Sequence, residues 1–340
     1  MVESKLISIV IPTYNPNMDY LNELFTEICK INKEKCEVLL IDDGSDSDIS
    51  EKIKKLVLSF EFRYEKVLIN SGVSNARNFG ISKSIGQYLL FVDSDDIIDG
   101  NLLDAFISQT ELTADVYVFG SANLNSKTNN LVDYDFEMLD VDLQKFYLDP
   151  YYKKLYFSPR SACAKLFKKS IIEKNGIQFD KNLRFSEDCL FNICYMQNAL
   201  SIKLISGSDL YFVRENLKSA SRTFSKKYAD YYNLYFDKAI SATNNKFILF
   251  FIYRDTISII AKVRICMSFK KFKIRSGLKF IKSNAVIISA QELSTLIKDP
   301  NYKINIESLR FIELINKRRF LRAYFYIVKN RILSKFKKQN

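Results

Sequence analysis

Leu89-Leu90-Phe91-Val92-Asp93-Ser94-Asp95-Asp96 is an apolar run that stops abruptly in three carboxylates. Four large apolar residues without alternation read as a strand buried on both faces, as in a parallel sheet. Carboxylates crowded at its end repel one another. A hard divalent cation relieves that repulsion through oxygen ligands and can bridge to a diphosphate. The competing reading is a solvated turn that caps the next helix.

Outward from this run, strand and helix signals alternate over the first 120 residues. Leu6–Ile11, Val38–Ile41, Tyr64–Ile69, Tyr88–Val92 and Val116–Phe119 read as strands, and Met18–Asn32, Ile49–Leu58, Val73–Ser84 and Leu102–Thr110 as helices. Such alternation predicts an α/β fold with a parallel, doubly wound sheet. Ligands of these sheets bind beyond the carboxyl ends of the strands. Three of those ends are polar: Pro12-Thr13-Tyr14-Asn15, Asp42-Asp43-Gly44-Ser45 and Asp93-Ser94-Asp95-Asp96. Their convergence is that of one nucleotide pocket. Residues 121–160 are aromatic, acidic and irregular, like an insertion or lid. Residues 161–225 mix short elements, and from about 228 onward the spacing is helical.

Composition narrows the chemistry. The chain has 340 residues, 47% of them hydrophobic, and no histidine. Serine–histidine and cysteine–histidine nucleophilic sites, histidine bases and histidine-ligated zinc are excluded. The six cysteines form no Cys-x-x-Cys pair, which speaks against a zinc cluster and for a reducing, cytoplasmic setting. Leu6–Ile11 is too short for a signal peptide, and no segment approaches the roughly 20 apolar residues of a spanning helix. The net charge of +12 is uneven: −9 over residues 1–120, +4 over 121–240 and +17 over 241–340.

Three further segments carry chemistry. Asp42 follows a strand and is a good acceptor for the imide N–H of uracil, or else simple turn chemistry. Asn70-Ser71-Gly72-Val73-Ser74-Asn75-Ala76-Arg77-Asn78-Phe79-Gly80 opens a helix, where Arg77 is either a diphosphate partner or a salt-bridged helix residue. Phe185-Ser186-Glu187-Asp188-Cys189 sets two carboxylates before an apolar helix. Without histidine one of them is the best candidate base, and ordinary N-capping by Ser186 is the alternative.

The first ~100 residues resemble family 2 glycosyltransferases of the GT-A fold. The resemblance rests on Ser8-Ile9-Val10-Ile11-Pro12-Thr13-Tyr14-Asn15, on Asp42-Asp43-Gly44-Ser45, on Gly72 with Ala76-Arg77-Asn78 and Gly80, and on Asp93-Ser94-Asp95-Asp96. It continues weakly through Ala164-Lys165-Leu166-Phe167, Phe179-Asp180, Glu187-Asp188, Arg214 and Ser219-Ala220-Ser221. The family implies that Pro12, Thr13 and Asp42 hold the nucleobase and ribose. It implies Arg77 near the diphosphate, Asp93 on the nucleotide sugar, Mg²⁺ or Mn²⁺ on Asp95, and Asp188 as general base. Relatives carry a Tyr-Arg-x-His segment; here Val213-Arg214-Glu215-Asn216 replaces it, so the last metal ligand is open and Arg214 or Arg222 could meet the diphosphate.

The resemblance, which stops near residue 225, implies a GT-A type nucleotide-binding sheet, and the spacing and charge beyond it predict a helical, basic C-terminal region. The expected division is a catalytic domain over 1–225, with a nucleotide half 1–120 and an acceptor half 121–225, and a basic region over 226–340. The expected activity is inverting transfer of a hexose-type sugar from a nucleotide-diphosphate sugar, UDP-sugar foremost, to a glycan or lipid-linked hydroxyl in surface polysaccharide synthesis. A sugar-phosphate nucleotidyltransferase and a non-catalytic scaffold are the alternatives. Leu321, Phe325, Val328, Ile332 and Phe336 recur at helical spacing among Arg and Lys, the pattern of an amphipathic helix on an anionic cytoplasmic leaflet. A helix packed on the domain is the rival reading. No nucleic-acid motif is visible.

Overall fold

The computed structural model describes residues 5–126, 134, 136–148, 157–215, 228–245, 247–249, 251–252, 314, 317, 319 and 322. β1 (Ile7–Thr13) is buried along its whole length. It runs parallel to β2 (Cys36–Asp42) on one side and to β4 (Tyr88–Phe91) on the other. β3 (Arg63–Lys66) extends the parallel set beyond β2. Their carboxyl ends therefore share one rim, where the register sets Thr13 beside Asp42.

The parallel pattern expected to run on to the fifth strand stops at β4. Among the described residues the sheet has nine strands and is mixed. After β5 (Ile97–Ile98) and β6 (Val116–Asn123), β7 (Glu137–Val141) and the short β8 (Lys165–Lys168) follow. β8 inserts between β4 and β6 and is antiparallel to both. β9 (Ile202–Val213) runs parallel to β6 and antiparallel to β5 and β7. Residues 137–148, expected to be irregular, thus hold an edge strand and the helix α5 named below. The third strand also ends sooner than its apolar run: Leu68 is 90% exposed and Ile69 75% exposed, so both belong to a loop.

The helices follow from caps and stripes. α1 (Met18–Ile28) begins at Asn17, whose side chain accepts from Asp19 N–H, and it buries Leu21, Leu24, Phe25 and Ile28. α2 (Ser47–Ser59) turns Ile53 and Val57 inward. α3 (Val73–Lys83) starts after Gly72, at φ +90°, and lies close on β1: a β-carbon on Gly80 would stand 2.3 Å from Val10 Cγ1. Arg77, one turn earlier on that buried face, is thereby brought to the sheet rim. α4 (Gly100–Gln109) is capped by Asp99. α5 (Leu143–Leu148) and α6 (Lys169–Lys174) are short. α7 (Glu187–Met196) packs through Phe191, which stacks on Phe179 at 4.0 Å and meets Phe91 and Phe167 edge-on. This aromatic block fixes the start of α7 against the end of β4.

The chain divides into two compact units, Met1–Phe146 with Tyr151–Thr223, and Tyr147–Pro150 with Phe224–Asn340. In the second, α8 (Tyr228–Ser241) buries Tyr235, Phe236 and Ala239, and Tyr147 packs on Phe251 at 4.9 Å. No helix among the described residues is long and apolar enough to cross a membrane. The expected amphipathic helix at 321–336 falls, but for Arg322, outside the described residues.

Candidate active site

Arg77 is the junction of the site. Its side chain is 3% exposed. Nη2 donates to Asp93 Oδ1 at 2.8 Å, while Nη1 donates to Asp188 Oδ1 at 2.5 Å and to Glu187 Oε1 at 3.4 Å. The guanidinium also lies over the Phe179 ring at 5.2 Å. Burial alone would weaken its charge, but Asp188, Asp93 and Glu187 hold it protonated well above the ordinary arginine range. Nε is buried and without a partner among the described residues. Of the two sequence readings of Arg77, the ion-paired one describes this geometry, although the pairing is buried rather than superficial.

The two carboxylates that open α7 differ from an ordinary helix cap. Ser186 adopts φ +61°, a left-handed conformation costly for a residue with a side chain, and its hydroxyl makes no capping bond. The strain swings Glu187 and Asp188 toward Arg77. Burial, then the neighbouring Asp188 charge, pushes Glu187 up to about 7. Asp188 is also raised, by burial first and by Asp93, with Arg77 and the Ala162 N–H pulling the other way. Such a displaced, coupled carboxylate pair at a sheet rim is the electrostatic setting of a general base near neutral pH.

The Asp93–Asp96 loop is held from below. Tyr211 donates to Asp96 Oδ2 at 2.7 Å, and its oxygen accepts from Asp93 N–H at 3.2 Å. Burial pushes Asp96 up to about 7. Arg214 donates from its backbone to Asp96, from Nε to the Asp95 carbonyl at 3.1 Å and from Nη2 to Glu23 at 2.6 Å, and covers the Tyr20 ring at 3.9 Å. Asn216 and Arg222, the other residues weighed for metal and diphosphate, lie outside the described residues. A divalent cation fits this loop in donor type, with hard oxygen ligands from Asp95 and the half-exposed Asp93. Among the described residues no group of three Asp, Glu, Cys or His is gathered as a complete cage, so the remaining ligands would have to come from a bound phosphate or water.

On the nucleotide side, Thr13 Oγ1 donates to Ser94 Oγ at 3.1 Å, joining the ends of β1 and β4, and Pro12 is buried in β1. Asp42 is fully buried. Its carboxylate accepts from Ser45 N–H at 2.8 Å, from the Tyr64 hydroxyl at 2.7 Å and from Ser50 Oγ. Burial opposes its charge, but these bonds win and lower its pKa. Asp43 accepts from Ser71 and Gly72 N–H and so ties the second loop to the start of α3.

Sequence reasoning gave no role to Tyr211, Lys165 or Asn192. Lys165 did leave a signal, a cation inside the apolar Ala162–Phe167 stretch. Tyr211 left none, because an aromatic in a strand reads as core.

Residues 8–176 match the family model described as Glycosyl transferase family 2. The chain is 29% identical over 254 residues to the glycosyltransferase GlyG of Streptococcus pneumoniae, covering 67% of this chain and 81% of that one. It is 25% identical over 225 residues to the poly(ribitol-phosphate) beta-N-acetylglucosaminyltransferase TarP of Staphylococcus aureus, covering 64% and 65%, so it spans just under two thirds of TarP. Among solved structures, residues 1–349 of Staphylococcus aureus TarS in complex with UDP-GlcNAc superpose with a TM-score of 0.67 at 19% identity, over 97% of this chain and 92% of that one. That likeness establishes the GT-A type of α/β fold.

Proposed function

This chain belongs to glycosyl transferase family 2 and is a glycosyltransferase, and from that premise we propose that it inverts the anomeric carbon of a UDP-sugar as it transfers the sugar, of hexose type, to a hydroxyl of a glycan or lipid-linked acceptor. The observation that carries the reading is the Arg77 bridge, which sets Asp93 at the end of β4 and Asp188 at the start of α7 on two nitrogens of one guanidinium. A donor-side carboxylate and a base thereby face a single reaction centre.

In this scheme the nucleobase and ribose lie against Pro12, Thr13 and the loop that Asp42 braces. Asp95, with Asp93, would hold Mg²⁺ or Mn²⁺, whose charge would offset that of the leaving diphosphate. Asp188 takes the acceptor proton as the hydroxyl attacks in line. Arg77 would keep Asp188 ionised and aimed, with its charge set near the diphosphate. One displacement needs no covalent intermediate. TarP is named for transfer of N-acetylglucosamine and the TarS complex contains UDP-GlcNAc, so UDP-N-acetylglucosamine is the first donor to try. The basic C-terminal region, at +17 over residues 241–340, supports a peripheral position on an anionic cytoplasmic membrane face.

The test is a panel of UDP-, GDP- and dTDP-sugars assayed for hydrolysis and for transfer, with and without Mn²⁺. Turnover of a UDP-sugar with inversion at the anomeric carbon is expected. Retention of configuration, or silence toward every donor, defeats the scheme.

A further inference from the structure

Lys165 is a buried cation that the scheme above leaves without work. It sits in β8, in the middle of the sheet, and is 1% exposed. Its ammonium donates to the Ser158 carbonyl at 2.7 Å and to the Ser161 carbonyl at 2.6 Å. Isolating a cation in the sheet is costly unless its bonds set something worth holding. What they set is the loop entering β8. Ser158 Oγ accepts from Arg160 and Ser161 N–H, Ser161 Oγ accepts from Cys163 N–H, and Ala164 turns at φ +59° to enter the strand.

That loop is docked on the helix of the base. Ala162 N–H donates to Asp188 Oδ2 at 3.3 Å, the oxygen opposite the one held by Arg77. One turn further along α7, on the same face, Asn192 Nδ2 donates to the Ser161 carbonyl at 2.8 Å. The Ser161 carbonyl is therefore gripped twice, by Lys165 and by Asn192, and the adjoining Ala162 N–H is presented to Asp188. Asn192 is fully buried and its Oδ1 has no partner among the described residues, so this amide is retained for its one donated bond.

We propose that Lys165 is a positioning residue for Asp188: its ammonium gathers the Ser158 and Ser161 carbonyls and so fixes the Ala162 N–H that orients the base. The inference rests on Asp188 being the base. The groups facing the ammonium are Cys163 from the loop and Asp188 and Cys189 from α7, while its register partner on β6, Val118, is apolar. Burial brings Lys165 down to about 8, within the range of an activity assay. Both the Lys165 charge and the Ala162 bond lower the Asp188 pKa, so losing them raises it.

The experiment measures kcat and KM from pH 5.5 to 9.5 for the most rapidly hydrolysed sugar of the donor panel, in the wild type, Lys165→Met, Asn192→Leu and Asp188→Asn. Circular dichroism and thermal melting check the fold. Lys165→Met should lower kcat about 10-fold or more with donor KM within about 3-fold. It should also move the acid limb of kcat upward by on the order of one pH unit and remove an alkaline limb expected near pH 8 in the wild type. Asn192→Leu, which removes the orphaned oxygen with little change of volume, should fold and shift the acid limb in the same direction by less. An unchanged kcat and acid limb in a folded Lys165→Met overturns the proposal. Should that variant not fold, a wild type with no alkaline limb, or an Asn192→Leu acid limb that does not move, overturns it equally. Full activity in Asp188→Asn overturns instead the reading of the base on which it stands.

Discussion

Arg77 Nη1 lies 2.5 Å from Asp188 Oδ1, and the guanidinium that makes this contact is almost entirely out of water. A lysine at that position offers one point charge and cannot span Asp93 and Asp188 together. Arg77→Lys should therefore leave a folded protein in which Asp188 is no longer aimed, with kcat down by ~10²-fold, the scale of a misplaced catalytic group. UDP affinity by calorimetry should change by only several-fold. If UDP affinity collapses while kcat at saturation survives, Arg77 serves the diphosphate and not the base.

Glu187 at about 7 and the raised, coupled Asp188 give the pH dependence its sign. A base must be ionised to accept a proton. Asp188 is raised by burial and by Asp93, so activity falls with decreasing pH above the ordinary aspartate range rather than within it. Glu187→Gln removes the negative neighbour and should move the acid limb downward while transfer persists. Asp188→Asn should lose transfer by ~10²-fold or more and retain UDP binding. The reverse pattern, a silent Asp188→Asn and an inactive Glu187→Gln, would identify Glu187 as the base.

Much of the parallel half of the sheet was legible before the structure, for a physical reason. Strands buried on both faces need continuous apolar runs, so Ile7–Thr13, Cys36–Asp42 and Tyr88–Phe91 announce themselves, and their polar ends mark the rim. The other half of the sheet was legible only in part, Val116–Phe119 reading as a strand and the rest not. β8 is four residues long and opens with a lysine that reads as surface, yet its antiparallel insertion converts a parallel sheet into a mixed one. Leu68 and Ile69 misled in the opposite sense, being β-formers on a solvated loop. Asp188 stood out as one of two carboxylates before a helix, but its supports did not. Tyr211 and Lys165 act from strands remote in sequence, and Asn192, one turn along the same helix, acts through the distant Ser161 carbonyl, so no local pattern encodes such contacts.

Asp95 carries the metal prediction, because Asp96 is engaged by Tyr211 and Arg214. Asp95→Asn should keep the fold and lose both Mn²⁺-dependent turnover and Mn²⁺ binding as read by electron paramagnetic resonance in the presence of UDP. Turnover near that of the wild type in this variant, with or without chelator, would show that no metal acts there.

Gly44 has φ +76°, and a β-carbon on it would stand 2.6 Å from the Asn70 backbone nitrogen. The clash is with main chain, so it cannot be relieved by a rotamer change. Gly44→Ala combines a left-handed conformation, worth about 1–2 kcal/mol, with displacement of the loop that Asp43 ties to Ser71 and Gly72. The expected result is a stability loss on the order of 2–4 kcal/mol in denaturant unfolding and weaker UDP binding. A variant as stable as the wild type would mean that the two loops are not coupled.

The last prediction concerns the basic tail. Residues 241–340 carry +17, and Leu321, Phe325, Val328, Ile332 and Phe336 alternate with cations at helical spacing. Membrane binding by such a segment has two parts, apolar insertion and attraction to anionic lipid at about 1 kcal/mol per well-placed cation. Only the second is screened by salt, because the Debye length falls from about 10 Å at 0.1 M to about 3 Å at 1 M. The protein should therefore sediment with phosphatidylglycerol-rich vesicles at low salt and far less at high salt. Deleting residues 317–340 should weaken that binding and leave hydrolysis of free donor nearly intact, since the residues assigned to donor and base all precede residue 215. Transfer to a lipid-linked acceptor should fall further than hydrolysis does. A truncated protein that no longer folds would make the tail part of the packed structure. An intact protein that ignores anionic vesicles at low salt would direct its charge to an acidic acceptor instead.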